Sequence, residues 1–528
     1  MIGRFNRFGY TYQMRVGDHG HCGSYDVRSI YQFFADKRRV ARPNDVVYTT
    51  NHPQFNKAYW AQIDRLKTLN RWARIEAYRH GNSISIHTRN VAQYTLLLDE
   101  SPILPNASLT VTTNGATTFR GAPPKRLTFA VETDERNRVL GWTQRTPELV
   151  RESAHRSPQQ VEASPHPMKR KGLCGPIAEA FRSPFLVVYG TKDDTLAGDV
   201  SNPDWRDAQR FCTEWNAWMS LRWGNEGRFL GGREENWWIP PYPFRSGAAI
   251  PMEQPLMTPR RDVEVSEEEI RARNLILFGD PQTNALIRRW KDKLPIRVAS
   301  TLSGSQAQVG ARTYTGKNVN YAFIAPNPDV PTRYVVVARG YLSSRIDPTR
   351  FSAHNVGKDL EALPFYWSDY VIWDANRKPA PTVQPPLLYL PETYLEAGFF
   401  NDRWQLHTAP PVTTATVQGK QNRDGSPKLR LGSYRPPVKI TLEANDPIGG
   451  FGVERIEYRL GRGRWKRYVQ PLQITAKSGR ITLAYRAVGA SGQYLYGDVR
   501  NAAGQTVRRA TKTVENAETI KRLHLRVN

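Results

Sequence analysis

The densest group of reactive side chains is the run Gly17-Asp18-His19-Gly20-His21-Cys22-Gly23. An imidazole on a glycine-rich loop can reach a nucleophile and accept its proton, provided that an acid orients the ring. His21, with its Gly-His pairing, is the first candidate for that catalytic role, and His19 is the second. Two other readings stay open. One is a glycine-rich turn with incidental histidines. The other is a metal pair, because His-x-His on extended backbone points both rings to one side. Two ligands do not complete a site and no spaced partner follows, so neither a metal nor a cofactor is expected. Cys22 reads as a bystander, since neighbouring turn residues rarely aim their side chains at one another.

These residues need a strand before them and a helix after them. Tyr10 to Val16 alternates in period two, and Val27, Ile30, Tyr31, Phe33 and Phe34 fall at helical spacing. Strand, Gly-His loop and Phe-Phe helix together resemble the C-terminal end of α/β-hydrolase catalytic domains. There the histidine follows the last core strand. The resemblance extends through Gly172-Leu173-Cys174-Gly175-Pro176-Ile177, Pro184 to Thr191, Asn274 to Gly279 and Ala397 to Trp404. These segments look like the accessory part of large bacterial prolyl-oligopeptidase-type or esterase-type proteins. It implies a serine esterase or peptidase class. It also implies that the nucleophile and acid precede Met1, because that fold runs nucleophile, acid, histidine along the chain. The near misses to a Gly-x-Ser-x-Gly elbow, at Gly81 to Ser85 and Gly489 to Gln493, open no helix. The expectation is therefore a chain that is inactive alone, completed by an N-terminal hydrolase fragment or partner chain. Asp193-Asp194 follows the histidines by too much sequence to be the acid and reads as a polar turn.

Five regions follow. Residues 1–40 form the truncated hydrolase end. Residues 41–145 are β-rich, with alternation in Ser83 to Thr88 and Leu109 to Thr112 and a hairpin signal at Asn114-Gly115. Residues 146–172 are a linker with Ser-Pro pairs. Residues 173–409 carry the apolar runs Phe185 to Tyr189, Leu275 to Phe278, Tyr334 to Val337 and Tyr370 to Trp373, which suit strands covered on both faces. Helix signals lie between them: a capping box at Ser266 and Glu269, and an N-cap at Asp280 before Pro281. An α/β region with a parallel sheet is expected, with any ligand crevice at the strand ends Gly190-Thr191 and Gly279-Asp280. Residues 410–528 read as short strands with turns. The order Val438 to Asp446, Gly450-Phe451-Gly452-Val453, Glu457-Tyr458-Arg459, Trp465 and Asn501 to Gly504 is similar to OmpL47-type Ig-like β-domains. It departs from them at the closing box. The resemblance implies a β-sandwich spacer or attachment module and an exported, periplasmic or cell-surface protein. The expected class is multidomain α/β plus β.

Composition bounds the partners. Of 528 residues, 39% are hydrophobic and 23% charged, as in folded chains. Three cysteines far apart make no framework. No apolar stretch reaches membrane-spanning length, so no membrane span is expected. The net charge of +26 favours anionic partners. The basic runs are short, Lys169-Arg170-Lys171 being typical, which reads as dispersed solvating charge and disfavours nucleic acid. The competing functional class is a non-catalytic extracellular binding or structural protein for anionic polysaccharide, a cell surface or a partner chain. The Trp-rich stretch from Trp205 to Trp238 packs a core or lines such a surface.

Overall fold

The computed structural model describes residues 27–35, 37–145, 167–192, 201–223, 257–340, 368–375, 394–407, 409–421, 432–475, 478–500 and 506–527. The chain divides into two compact units, Met1–Pro43 with Ala217–Pro255, and Asn44–Asn216 with Leu256–Asn528. In the first, helix α1 (Val27–Ala35) leaves Tyr31 and Phe34 exposed, and Lys37 lies over the Phe33 ring.

The second unit begins with ten strands: β1 (Asp45–Thr50), β2 (Lys57–Ala58), β3 (Ala61–Leu66), β4 (Ala73–His80), β5 (Ser83–Arg89), β6 (Val91–Leu97), β7 (Leu109–Thr113), β8 (Ala116–Gly121), β9 (Arg126–Thr133) and β10 (Val139–Arg145). They form two five-stranded sheets, ordered β1-β4-β5-β7-β8 and β10-β9-β6-β3-β2. Period-two alternation explains the pairing of the sheets. Ile75, Ala77, Ile84, Ile86, Leu109 and Val111 from one sheet, and Ile63, Tyr94, Leu96 and Phe129 from the other, share one core. Asn114 and Gly115 both take positive φ, as a two-residue hairpin turn requires.

A mixed sheet follows. Its first part comprises β11 (Phe185–Tyr189), helix α2 (Pro203–Trp223), β12 (Arg260–Arg261), helix α3 (Glu267–Ala272), β13 (Asn274–Phe278) and helix α4 (Ala285–Trp290). A three-stranded antiparallel sheet of β14 (Arg297–Thr301), β15 (Gly304–Val309) and β16 (Arg312–Gly316) comes next, then β17 (Val319–Pro326), β18 (Tyr334–Arg339), β19 (Tyr370–Asp374) and β20 (Tyr394–Gly398). Asn202 caps α2, accepting from the backbone of Asp204 and Trp205, with Pro203 at the first helical position. Phe211 and Trp215 of α2 lie near-parallel to each other; Phe211 stacks on Phe181, and Phe185 meets Trp215 edge-on. Ser266 and Glu269 form the expected capping box of α3.

The expected α/β parallel-sheet region does not form. β12, β11, β13 and β18 pair in parallel, but β17, β19 and β20 continue the same sheet antiparallel. Helices α3 and α4 have six residues each, too short to cover a parallel sheet. A buried apolar run signals burial on both faces; it does not carry strand direction.

The C-terminal strands are β21 (Val412–Gln421), β22 (Gly432–Asn445), β23 (Val453–Leu460), β24 (Lys466–Arg467), β25 (Leu472–Ile474), β26 (Gly479–Arg500), β27 (Thr506–Ala517) and β28 (Lys521–Val527). The C-terminal region is β-rich, with its own core of Val438, Ile440, Leu442, Leu483, Tyr485, Leu525 and Val527. β26 pairs with β20 through Glu396–Leu495, Ala397–Tyr494 and Gly398–Gln493, so these strands extend the mixed sheet. The overall class is mainly β, not multidomain α/β plus β; the expected hydrolase end at residues 1–40 lies mostly outside the described residues. Two ties bind the first ten strands to this sheet. Phe451 inserts into their core, and Arg65 pairs with the buried Asp402 at 2.6 Å. No helix among the described residues is long and apolar enough to cross a membrane.

Candidate functional site

His19, His21 and Cys22 lie outside the described residues, as do Asp193 and Asp194. The two serine near misses are placed. Ser83 and Ser85 sit on β5, and Ser491, buried on β26, donates its hydroxyl to the Val514 carbonyl at 2.7 Å. A hydroxyl committed to a carbonyl is not poised for attack.

At the ends of β11, β13 and β18, where a ligand crevice is expected, the chain gathers a buried polar cluster. Asp280, fully buried, accepts from the Arg339 guanidinium at 2.9 Å and from the Ser300 hydroxyl. Asp280 is not a helix N-cap. Asn284 caps α4 instead, accepting from Leu286 and Ile287 backbone N–H groups at 3.0 and 3.2 Å. Asp262 accepts from Thr191 Oγ1 at 2.6 Å and from Ala285 N at 2.7 Å, tying β11 to α4. Asp204 is different: its Oδ2 is buried without a hydrogen bond. Burial raises its pKa to about 6; the nearby Thr283 hydroxyl and Arg339 oppose the rise, and Asp280 and Asp207 add to it. The oxygen presses on the turn at Gly279, whose φ is +123° and where a Cβ would stand 2.5 Å from it. Glycine is required there.

A second cluster surrounds Cys174. Its Sγ lies 4.0 Å from His52 Nδ1, beyond any strong hydrogen bond. Burial pushes the thiol up to about 12, and burial with the charges of Lys169 and Arg182 lowers His52 to about 4. Both members are therefore neutral at pH 7, the reverse of an activated thiolate–imidazolium pair. Lys169 and Asp369 form a buried ion pair beside them, and the Lys169 ammonium sits 4.8 Å from the Trp404 ring centre. Native protein at pH 8 should resist iodoacetamide at Cys174 for hours and react only after unfolding. Mass spectrometry of tryptic peptides checks this; rapid modification of the native thiol would contradict the burial argument.

The third feature is a face rather than a cleft. In β23, β26 and β28, alternate residues point into a core of Leu483, Tyr485, Leu525 and Val527. The intervening positions point outward, and registry places them side by side. Arg480 stands opposite Arg526, and Arg459 and Arg522 flank Ala484. Glu457 lies between Arg486 and Arg467, Arg435 pairs with Lys420, and Lys439 with Gln473. Trp465 lies under both Arg459 and Arg486, at 4.9 and 5.2 Å. Glu457, the acid in the middle, is taken up by Arg455 and Arg486. Arg480, Arg522 and Lys439 have no ion pair among the described residues.

Comparison with known proteins finds no counterpart. No family model, no curated protein and no solved structure matches the chain.

The physics of the three features therefore decides between them. Among the described residues no group of three or more His, Cys, Asp or Glu side chains is arranged to hold a metal. The strand-end cluster and the Cys174 cluster are internally bonded and buried, whereas the β-face is solvent-facing and carries unspent charge. Reading the sequence for runs of basic residues missed it, because on a strand a row is made of every second residue and of partners far along the chain. Regional composition did carry a signal. Across residues 410–528, Lys and Arg outnumber Asp and Glu by more than two to one, against 75 to 49 for the whole chain.

Proposed function

We propose that this chain is a binding protein for anionic polysaccharide, acting outside the cell or at its surface through the outward face of β21 to β28. The observation that carries the reading is that Arg480, Arg522 and Lys439 lie on neighbouring strands, at positions outside the core, with no ion pair among the described residues. A polyanion laid across β26, β28 and β22 supplies the counter-charge they lack, and an extended polymer suits cations spread over this grid of neighbouring strands. No observation among the described residues favours the hydrolase reading, whose residues His19 and His21 lie outside them.

Retention on a polyuronate or a sulfated polysaccharide should fall steeply with salt, as counterion release demands. The triple variant Lys439→Gln, Arg467→Gln, Arg522→Gln should reduce the slope of log K against log salt by about three, roughly one per cation. Affinity should fall at least tenfold at physiological salt while the fold is unchanged by circular dichroism. An unaltered slope, or equal binding to double-stranded DNA, would count against a polysaccharide face.

A further inference from the structure

The grid ends at an open cavity of about 470 Å³, lined among others by Leu460, Gln473, Ile474, Arg480, Ile481 and Thr482. Its volume lies within the roughly 300–1,000 Å³ typical of small-ligand sites. We infer that this cavity is a subsite for one carboxylated sugar ring of the bound polymer, an inference that rests on the reading of the face given above.

The lining matches such a ring part by part. Leu460, Ile474 and Ile481 offer an apolar surface for the C–H face of a pyranose. Gln473 is exposed and presents both a donor and an acceptor to ring hydroxyls. The Thr482 hydroxyl is held 3.0 Å from His524 Nδ1, which fixes its position at the cavity wall. Among the described residues Arg480 is the one charged residue of the lining; it is exposed and no carboxylate pairs with it. Its planar fork suits a carboxylate bidentately, with an energy and geometry that a lysine would not reproduce. An apolar wall, a hydroxyl-reading amide and a guanidinium come together at this place on the face.

Titration calorimetry on the full chain tests the subsite with free glucuronate, glucose and inorganic sulfate as probes, alongside a polyuronate. Glucuronate should bind with a dissociation constant in the millimolar range, and glucose and sulfate at least tenfold more weakly. Arg480→Gln should weaken glucuronate at least tenfold and Gln473→Ala at least threefold. Gln473→Ala should leave the salt slope for the polymer unchanged, since it removes no charge. If the polymer binds but glucuronate does not, or sulfate competes equally, the subsite is overturned and the face stands. If the polymer itself does not bind in low salt, the reading of the face fails first. Both substituted side chains are exposed, and unchanged melting temperatures confirm that folding is not what the titration reads.

Discussion

Replacing Arg312 with Met lowers the unfolding free energy by about 3–5 kcal/mol, the cost of leaving a buried carboxylate without its charge partner. The carboxylate is Glu396 on β20, fully buried, which accepts from Arg312 at 2.8 and 2.6 Å, from the Tyr314 hydroxyl at 2.6 Å and from the Tyr370 hydroxyl at 2.7 Å. Arg312 also donates to Gln493 of β26. One guanidinium thus ties the β14–β16 sheet to the place where β20 hands the mixed sheet on to β26. Charge balance is what the variant removes: two phenols remain to solvate a carboxylate that water cannot reach. Glu396→Gln should cost less, about 1–3 kcal/mol, because the amide still accepts from a tyrosine and Arg312, about 30% exposed, can turn to water. Urea denaturation followed by tryptophan fluorescence measures both. Equal costs would mean that the buried charge of Glu396 is not what makes the loss of Arg312 so destabilising.

That network was not legible in the sequence, and the reason is separation. Its members lie 84 and 181 residues apart, and nothing local to Arg312 announces a carboxylate partner. Local features fared better. The runs at Phe185, Leu275, Tyr334 and Tyr370 are strands, Asn114-Gly115 is the hairpin turn, and Ser266 with Glu269 closes its capping box. Each of these is decided within a few residues by burial, φ preference or a short hydrogen bond. Strand direction is decided by connections that local pattern does not describe, which is why the apolar runs suggested a parallel sheet that β17, β19 and β20 contradict. The same distinction separates Asp280 from Asn284. Asp280-Pro281 satisfies the sequence rule for a cap, yet the Asp280 carboxylate is claimed by Arg339 and Ser300 from distant strands, and the cap passes to the next suitable side chain. The basic face belongs with the non-local features: its parts alternate as any exposed strand would, and only registry joins them.

Asp204→Asn should stabilise the protein at neutral pH, by up to about 3 kcal/mol, and should leave it unchanged near pH 4. The native carboxyl has its pKa raised from 3.8 to about 6, first by burial. A raised acid pKa means that the folded state holds the proton more tightly than the unfolded chain. Below pH 3.8 both states are protonated and the group costs nothing. As pH rises from about 4 to 6 the unfolded chain ionises freely while the folded one resists, so stability falls. Above 6 the full cost is present, close to two pKa shifts of about 1.4 kcal/mol each. Burial sets the sign. Asp280 and Asp207 oppose ionisation, and Arg339, already paired with Asp280, favours it too weakly to restore the usual carboxylate range. An amide carries no charge and should flatten the dependence. Denaturation midpoints at pH 4, 5, 6 and 7.5 for both proteins give the test. A variant whose stability runs parallel to the native protein across that window would show that Asp204 is ionised in the fold, with an unrecognised donor at its Oδ2. The placement argues otherwise: the Thr283 hydroxyl already lies beside that oxygen at the Gly279 turn and lowers the pKa, yet burial outweighs it.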